Sequence, residues 1–350
     1  MYRVDGFRQC FQGAALIDDT KNIYYLTGYT GEGCLLVTPA SAVIITDFRY
    51  VEQCERQAPE CKLEQTKVGI NRESILKQYL SDEGINELFV ETGVLTVNAY
   101  RKIESALEGV TLSDLPGVIG EMRMVKDAGE LEIIAKAAAI SCRAFENMLG
   151  QIRPGVTEKQ ARAILEHEMA LCGSEGLAFD TIVASGVNGS LPHAIPSDKP
   201  IEAGELVTFD FGASYRGYCS DCTRTIAVGK IDRELEAIYN AVYTAHMDAL
   251  AAVKPGRTGK EIDAIARDYL EKIYPGAFGH GLGHGVGLNI HETPTVNSRG
   301  ETVLAPGHVV TIEPGVYIRG LGGCRIEDTV FVTEDGYKDP YTVSKQLIVL

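Results

Sequence analysis

Apolar positions along the first ~115 residues fall into short runs separated by amphipathic stretches. Residues 14–17, 34–38, 43–46 and 88–90 are runs of strand length, each with glycine, proline or charge nearby. Between them, residues 50–57, 72–80 and 97–107 place apolar side chains at helical spacing. The pattern predicts a compact α/β domain. Leu115-Pro116-Gly117 interrupts it, and residues 126–149 follow as a long helix rich in alanine, a strong helix former. The reading gives two domains, residues 1–117 and 121–350.

The second domain repeats itself. Arg153-Pro-Gly-Val-Thr157 precedes a helix at 158–171, and Lys254-Pro-Gly-Arg-Thr258 precedes one at 261–273. His193-Ala-Ile-Pro196 corresponds to His291-Glu-Thr-Pro294. Gly204 to Gly212, which contains Asp210, corresponds to Gly307 to Gly315, which contains Glu313. Asp221-Cys-Thr223 corresponds to Glu327-Asp-Thr329. The offsets run from 98 to 106 in one order. Shared turn chemistry explains the Pro-Gly pairs but not the paired histidines and acids.

Composition narrows the function. Of 350 residues, 45% are hydrophobic and 23% charged, an ordinary folded balance with room for two domains. Lys plus Arg number 33 against 48 Asp plus Glu, a net charge of −15, which argues against a partner tracked through its phosphate backbone. No apolar run approaches the ~18 residues of a membrane span. The opening Met-Tyr-Arg-Val-Asp-Gly has no apolar core of a signal peptide, so neither secretion nor a membrane partner is expected. Nine scattered cysteines read as reduced thiols in a cytoplasmic enzyme.

Each half of the repeat contributes one histidine and two carboxylates inside apolar, strand-like segments. A hairpin over 206–228 turning between Tyr215 and Arg216 would set Asp210 opposite Asp221. Facing acids are costly unless a cation lies between them. Glu313 and Glu327 fall on a similar pair joined through Gly320-Leu-Gly-Gly323. The segment Gly279-His280-Gly-Leu-Gly-His284-Gly-Val-Gly287 offers a nitrogen ligand, and its glycines favour a loop over a helix. Four carboxylates and one imidazole form a hard set with room for two divalent ions. Mn²⁺ suits it best, with Co²⁺, Zn²⁺ or Fe²⁺ also admissible. Two ions ~3.5–4 Å apart can hold a bridging hydroxide and polarise a carbonyl, which is hydrolytic chemistry. His167, His246 and His308 read as structural.

Other motifs fail on inspection. His167-Glu and His291-Glu lack the second histidine of a zincin helix. Gly212-Ala-Ser-Tyr-Arg-Gly217 is one residue too long for a nucleophile elbow, and the glycine-rich segment does not fit a dinucleotide fingerprint. Cys219-Ser-Asp-Cys222 has no second cysteine pair and straddles Asp221.

At these residues the chain resembles the pita-bread metallopeptidases, in the Xaa-Pro aminopeptidase and prolidase branch. Thr208-Phe-Asp-Phe-Gly212, Asp221-Cys-Thr-Arg-Thr225, Gly281-Leu-Gly-His-Gly-Val-Gly287, Ile290-His-Glu-Thr-Pro294, Glu313-Pro-Gly315 and Arg325-Ile-Glu-Asp328 stand in the family's order. Tyr25-Leu-Thr-Gly-Tyr29 and Thr46-Asp-Phe-Arg-Tyr50 resemble its creatinase-like N-terminal domain. The resemblance implies an α/β (α+β) chain: a small creatinase-like domain, then a pita-bread catalytic domain with a pseudo-twofold repeat. It implies metal ligands Asp210, Asp221, His284, Glu313 and Glu327, with Asp221 and Glu327 bridging two ions and Glu313 shuttling a proton. His193 and His291 would flank the scissile bond, His280 would line the substrate site, and Arg325 would help bind substrate from behind the ligands. A metal-bridging hydroxide would attack the Xaa-Pro carbonyl of a proline-containing peptide.

Relatives in this branch are commonly homodimers. Dipeptide-preferring prolidases can place an arginine directly after His-Glu-x-Pro, where this chain has Thr295. That favours Xaa-Pro aminopeptidase activity over Xaa-Pro dipeptidase activity. A metal-free binding module of this fold would be expected to have lost ligands, and here all five positions are filled.

Overall fold

The computed structural model describes residues 3–350. The chain divides into two compact units, one up to Arg123 and the other from Met124 to Leu350. The division falls near the end of the helix Val118–Met124.

The first unit is built on one mixed sheet. Its strand order is Lys62–Gln65, Ala42–Thr46, Cys34–Val37, Ala14–Ile17, Glu87–Val90 and Thr111–Asp114. The four central strands are those the apolar runs predict. The edge strands Lys62–Gln65 and Thr111–Asp114 carry alternating polar residues and bury little, so periodicity gives no sign of them. The helices Arg3–Cys10 and Thr20–Thr27 were likewise not anticipated. Asp19 caps the second by accepting from the amides of Lys21 and Asn22, which supports a sequence of weak helix formers. The motif Tyr25-Leu-Thr-Gly-Tyr29 is structural here. Tyr29 is 1% exposed and its hydroxyl bonds Thr46 Oγ1 at 3.2 Å.

The second unit contains the expected duplication. Its first half comprises helices α1 (Ala128–Leu149) and α2 (Glu158–Leu171) and strands β1 (Ile182–Ser185), β2 (Glu205–Phe211) and β3 (Cys222–Val228). The second half comprises helices α3 (Arg233–Ala252) and α4 (Gly259–Ile273) and strands β4 (Gly283–Gly285), β5 (Glu292–Val296), β6 (Val309–Ile312), β7 (Gly315–Ile318), β8 (Gly322–Arg325) and β9 (Glu327–Val332). One sheet runs β5-β4-β6-β9-β3-β2-β1. β3 and β9 are antiparallel neighbours, with Thr223 opposite Glu327, so the halves join at the middle of the sheet. Each half has its own core. Phe145 of α1 stacks on Phe211 at 5.3 Å, while Ile238, Val242 and Ala245 of α3 pack with Val310, Ile312 and Val330.

One expected register is corrected. Asp210 lies opposite Thr223, not Asp221, and Cys222 pairs with Phe211. The hairpin turns on Arg216-Gly217, both with positive φ (48° and 75°), because Tyr215 pairs with Tyr218. A primed turn fits the right-handed strand twist, and it slides the partner strand by two residues from the expected pairing. Asp221 therefore sits just before β3.

Among the described residues, no helix is long and apolar enough to cross a membrane. All nine cysteines are free thiols.

Candidate active site

Strand ends from both halves deliver the repeat's acids into one cavity of about 490 Å³. It is lined by all five residues expected as metal ligands, by His193, His280 and His291, and by Arg325, Thr295 and Asn297. Asp210 comes from the end of β2, Asp221 from the bend before β3, Glu313 from the end of β6 and Glu327 from the start of β9. His284 is the middle residue of β4, a three-residue strand rather than the expected loop. Glycine is required beside it: a Cβ on Gly283 would overlap the carbonyl of Thr311 on β6.

Three of the five expected ligands form a tight group. Ligand atoms of Asp221, His284 and Glu327 all lie within 4.8 Å of one another. His284 Nδ1 faces the Gly285 carbonyl at 3.1 Å, so this nitrogen carries a proton and Nε2 turns to the acids. It lies 3.3 Å from Glu313 Oε1 and 3.6 Å from Asp221 Oδ2. His280 is engaged differently. Its Nδ1 meets the Gly281 carbonyl at 2.8 Å and its Nε2 the Tyr317 hydroxyl at 2.9 Å, so both ring nitrogens are occupied. Of the two histidines in the glycine-rich segment, His284 is the one facing the carboxylates.

Asp210 is held from the opposite half. Arg325, 4% exposed, donates to Asp210 Oδ2 at 2.6 Å, to Tyr317 at 2.8 Å, to Thr223 Oγ1 at 3.1 Å and to the Pro192 carbonyl at 3.2 Å. The other oxygen, Asp210 Oδ1, is buried without a partner.

The electrostatics follow from this crowding. Burial, then the charges of Glu327, Asp210 and Glu313, push the Asp221 carboxyl well above the usual range. Burial, then Glu313 and Asp210, do the same to Glu327. Burial also raises Asp210, with Arg325 pulling against it. Burial opposes the charge of Glu313 too, yet the hydrogen bond and charge of His284 hold it below the usual carboxylate range. His284 is raised: burial works against its charge, but Glu313 prevails.

Acids that repel each other in a buried site, an orphaned carboxylate oxygen and one imidazole Nε2 are what a hard divalent cation satisfies. The donor set therefore fits a metal.

His193 and His291 stand exposed at the cavity mouth. The His291 ring lies 4.3 Å from that of His284, and burial, then His284, lowers its pKa. His167 and His246 are on helices as expected, and His308 is a buried residue following Gly307. Cys219 and Cys222 are buried thiols, and burial pushes Cys222 well above the usual thiol range, so no thiolate forms there.

Sequence reasoning missed the residues that hold the acids in place. Thr223 Oγ1 donates to Glu327 Oε2 at 2.7 Å, and Thr329 Oγ1 donates to the Asp221 carbonyl at 2.9 Å. Each threonine stands two residues after the acid of its own half and reaches across to the other. The repeat itself was the signal, since both threonines belong to the paired motif. Tyr317, which links Arg325 to His280, has no such signal.

Known proteins place the whole chain. Residues 132–334 match metallopeptidase family M24, and residues 12–125 match the creatinase/prolidase N-terminal domain. An Xaa-Pro dipeptidase of Pyrococcus horikoshii is 38% identical over 96% of this chain and 94% of its own. The structure of an Xaa-Pro dipeptidase from Bacillus anthracis superposes with a TM-score of 0.96 at 40% identity, covering 99% of both chains. That of an X-Pro aminopeptidase from Thermotoga maritima gives 0.93 at 37% identity, over 99% of this chain and 100% of that one. With a creatinase-type first unit and a duplicated second unit that gathers acids and an imidazole in one cavity, the chain belongs to metallopeptidase family M24 and is a peptidase of the pita-bread fold.

Proposed function

We propose that this peptidase is an Xaa-Pro aminopeptidase, cleaving the bond before proline at the N-terminus of peptides of three or more residues. Asp210, Asp221, His284, Glu313 and Glu327 would hold two divalent ions, with Asp221 and Glu327 reaching both, and Mn²⁺ is the ion such an oxygen-rich set suits. When bound, the ions supply Lewis acidity at the scissile carbonyl and an activated water. The chain's own residues do the rest. Glu313, kept ionised by His284, accepts the water's proton and returns it to the leaving nitrogen. His193 and His291 at the mouth flank the scissile bond, one donating to the developing oxyanion and the other to the proline nitrogen. The His280–Tyr317–Arg325 chain orients Asp210 and closes one wall. Nine free thiols support a cytoplasmic setting.

The choice of aminopeptidase rests on one observation. Among the described residues lining the cavity, Arg325 is the one guanidinium or ammonium group, and it is already bonded to Asp210. Thr295, directly after His-Glu-Thr-Pro, also lines the cavity but offers no charge. The free carboxylate of a dipeptide thus gains no charge-assisted bond, worth about 1.5–3 kcal/mol or roughly 10- to 150-fold in selectivity. The similarity to Xaa-Pro dipeptidases supports the second reading, a prolidase. The test compares kcat/KM for an Xaa-Pro dipeptide with the same peptide extended by one residue. Equal or better turnover of the longer peptide is expected, and a tenfold preference for the dipeptide makes the protein a prolidase.

A further inference from the structure

One buried carboxylate outside the cavity closes the loop that carries His193. Glu158, the first residue of α2, is 0% exposed. Its Oε1 accepts from the Ser185 amide and hydroxyl at 2.7 and 2.9 Å. Its Oε2 accepts from the Ser197 amide and hydroxyl at 2.9 and 2.6 Å. Asn188 Nδ2 lies 3.1 Å from both oxygens. Ser185 is the last residue of β1, and Ser197 follows Pro196, so a single side chain pins both ends of the intervening segment. Within that segment Pro192 and His193 line the cavity.

Two features separate this carboxylate from an ordinary helix-start acid, which needs only the amides of its own first turn. The side chain bonds only to the loop and the two serines that flank it, through four serine donors and the Asn188 amide. Burial works against its charge, yet those donors hold its pKa below the usual range, so it stays ionised. Furthermore, no hydrogen bond within the described residues fixes the His193 ring, which is exposed at the mouth. The place of that imidazole is set by the backbone of its loop and by whatever pins the loop.

We propose that Glu158 is a positioning residue for the reaction: its carboxylate, bonded to Ser185 and Ser197, sets the 186–196 loop between them so that His193 stands at the scissile bond. The proposal rests on the reading of His193 as a group acting in the transition state. Pro192 adds a link to the metal side, because its carbonyl accepts from Arg325. No expected metal ligand lies on the loop, and Arg325 keeps its bonds to Asp210, Tyr317 and Thr223 without Pro192, so a displaced loop moves His193 without removing any metal ligand. Misplacing a catalytic group by about 1 Å can cost on the order of 100-fold in rate.

The test is a double-mutant cycle on metal-loaded protein with an Xaa-Pro tripeptide. Glu158→Gln keeps the shape but turns one acceptor into a donor that faces other donors. It should lower kcat by about 10- to 100-fold with KM and metal content near wild type. In the His193→Ala background the same change should cost less than about twofold, since nothing remains to be positioned. Ser197→Ala, which removes only the 2.6 Å hydroxyl donor, is the milder second variant if Glu158→Gln folds poorly, and it should show a smaller loss with the same lack of additivity.

Full additivity of either variant with His193→Ala would overturn the proposal, leaving a general structural role. A Glu158→Gln enzyme with wild-type kcat would also overturn it. If His193→Ala itself turns over at the wild-type rate, the reading of His193 falls first and takes the proposal with it. That outcome is recognisable from the single variant alone.

Discussion

The two halves of the catalytic unit share a backbone frame and differ in the side chains hung on it. Thr157 with Gln160, and Thr258 with Glu261, form matching capping boxes at the starts of α2 and α4. The Gly155 amide bonds the Ile201 carbonyl at 2.9 Å, and the Gly256 amide bonds that of Leu304 at 3.0 Å. The Lys159 amide meets Ser197, and the Lys260 amide meets Gly300. On this shared frame the first half supplies Asp210 and Asp221 but nothing to neutralise them. His284 and Arg325, which face those acids, come from the second half. Thr223 and Thr329 repay the debt in opposite directions. The duplicated unit is thus complete only as a pair, and neither half holds a working site.

The largest effects test that interdependence. Stripping the metal with a chelator should abolish turnover reversibly, and full activity in protein shown to be metal-free would end the metallopeptidase chemistry proposed above. Asp221→Ala and Glu327→Ala, one from each half, should each lose both ions and about 10³-fold or more in kcat/KM, several kcal/mol of transition-state stabilisation. Elemental analysis finding two ions per chain in either variant would remove the bridging role. If the halves contribute matching histidines, His193→Ala and His291→Ala should keep their metals and each lose about 10²–10⁴-fold in kcat. A variant with normal kcat and raised KM would reduce its histidine to ground-state binding.

What the sequence disclosed follows the same division. The acids and histidines were legible because duplication printed them twice: Asp210 with Glu313, Asp221 with Glu327, and His193 with His291. Among residues that occur once, His280, His284 and Arg325 were legible through the glycine-rich segment and the family motifs, and the others were not. Tyr317 lies outside the paired motifs and Glu158 is matched by a glycine in the other half, so repetition marked neither. The pairing of Asp210 with Asp221 went wrong by two residues because it depended on the turn. Arg216 takes a positive φ there, which a bulky residue seldom does. In the first unit, the buried strands declared themselves by their apolar runs. Lys62–Gln65 and Thr111–Asp114 lie at sheet edges, where burial imposes no pattern.

A smaller effect tests how each half seats its histidine loop. Gly259 is the counterpart of Glu158 in the other half. No side chain reaches across there; the backbone of the loop itself approaches, and a Cβ on Gly259 would overlap the Thr295 carbonyl. Gly259→Ala should therefore destabilise by about 1–3 kcal/mol through overpacking, read as a lowered urea midpoint with unchanged slope. It should also disturb Thr295 and His291 while sparing His193. Wild-type stability and kcat in Gly259→Ala would show that this contact yields freely and that the second loop is seated by other means.

The smallest effect is a slope in melting temperature, and it tests whether the shared acids need a cation. In metal-free protein the folded-state pKa values of Asp221 and Glu327 lie well above the usual carboxylate range, through burial first and mutual repulsion second. A group with a raised folded pKa binds more protons folded than unfolded, so stability falls as pH rises through that interval. Raised His284 has the same sign. Glu313 and Asp328, both lowered, lose their stabilisation only as pH falls below the ordinary carboxylate range. His246, His280, His291 and His308 are lowered, so their contribution is complete once pH exceeds the ordinary imidazole value near 6.5. Buried thiols with raised values act only from about pH 8.5 upward. Between about pH 6.5 and 8 a falling slope is therefore the signature of groups with raised values, and Asp221 and Glu327 are the carboxyls pushed up furthest. One extra proton held by the folded state gives a slope of about 1.4 kcal/mol per pH unit, or roughly 3–5 °C in Tm for a unit of this size. Metal-loaded protein should show little of this slope, and Asp221→Asn should reduce it in metal-free protein. A metal-free protein whose Tm does not change across that interval would mean that the two halves bring their acids together without cost, and the electrostatic case for a cation between them would be lost.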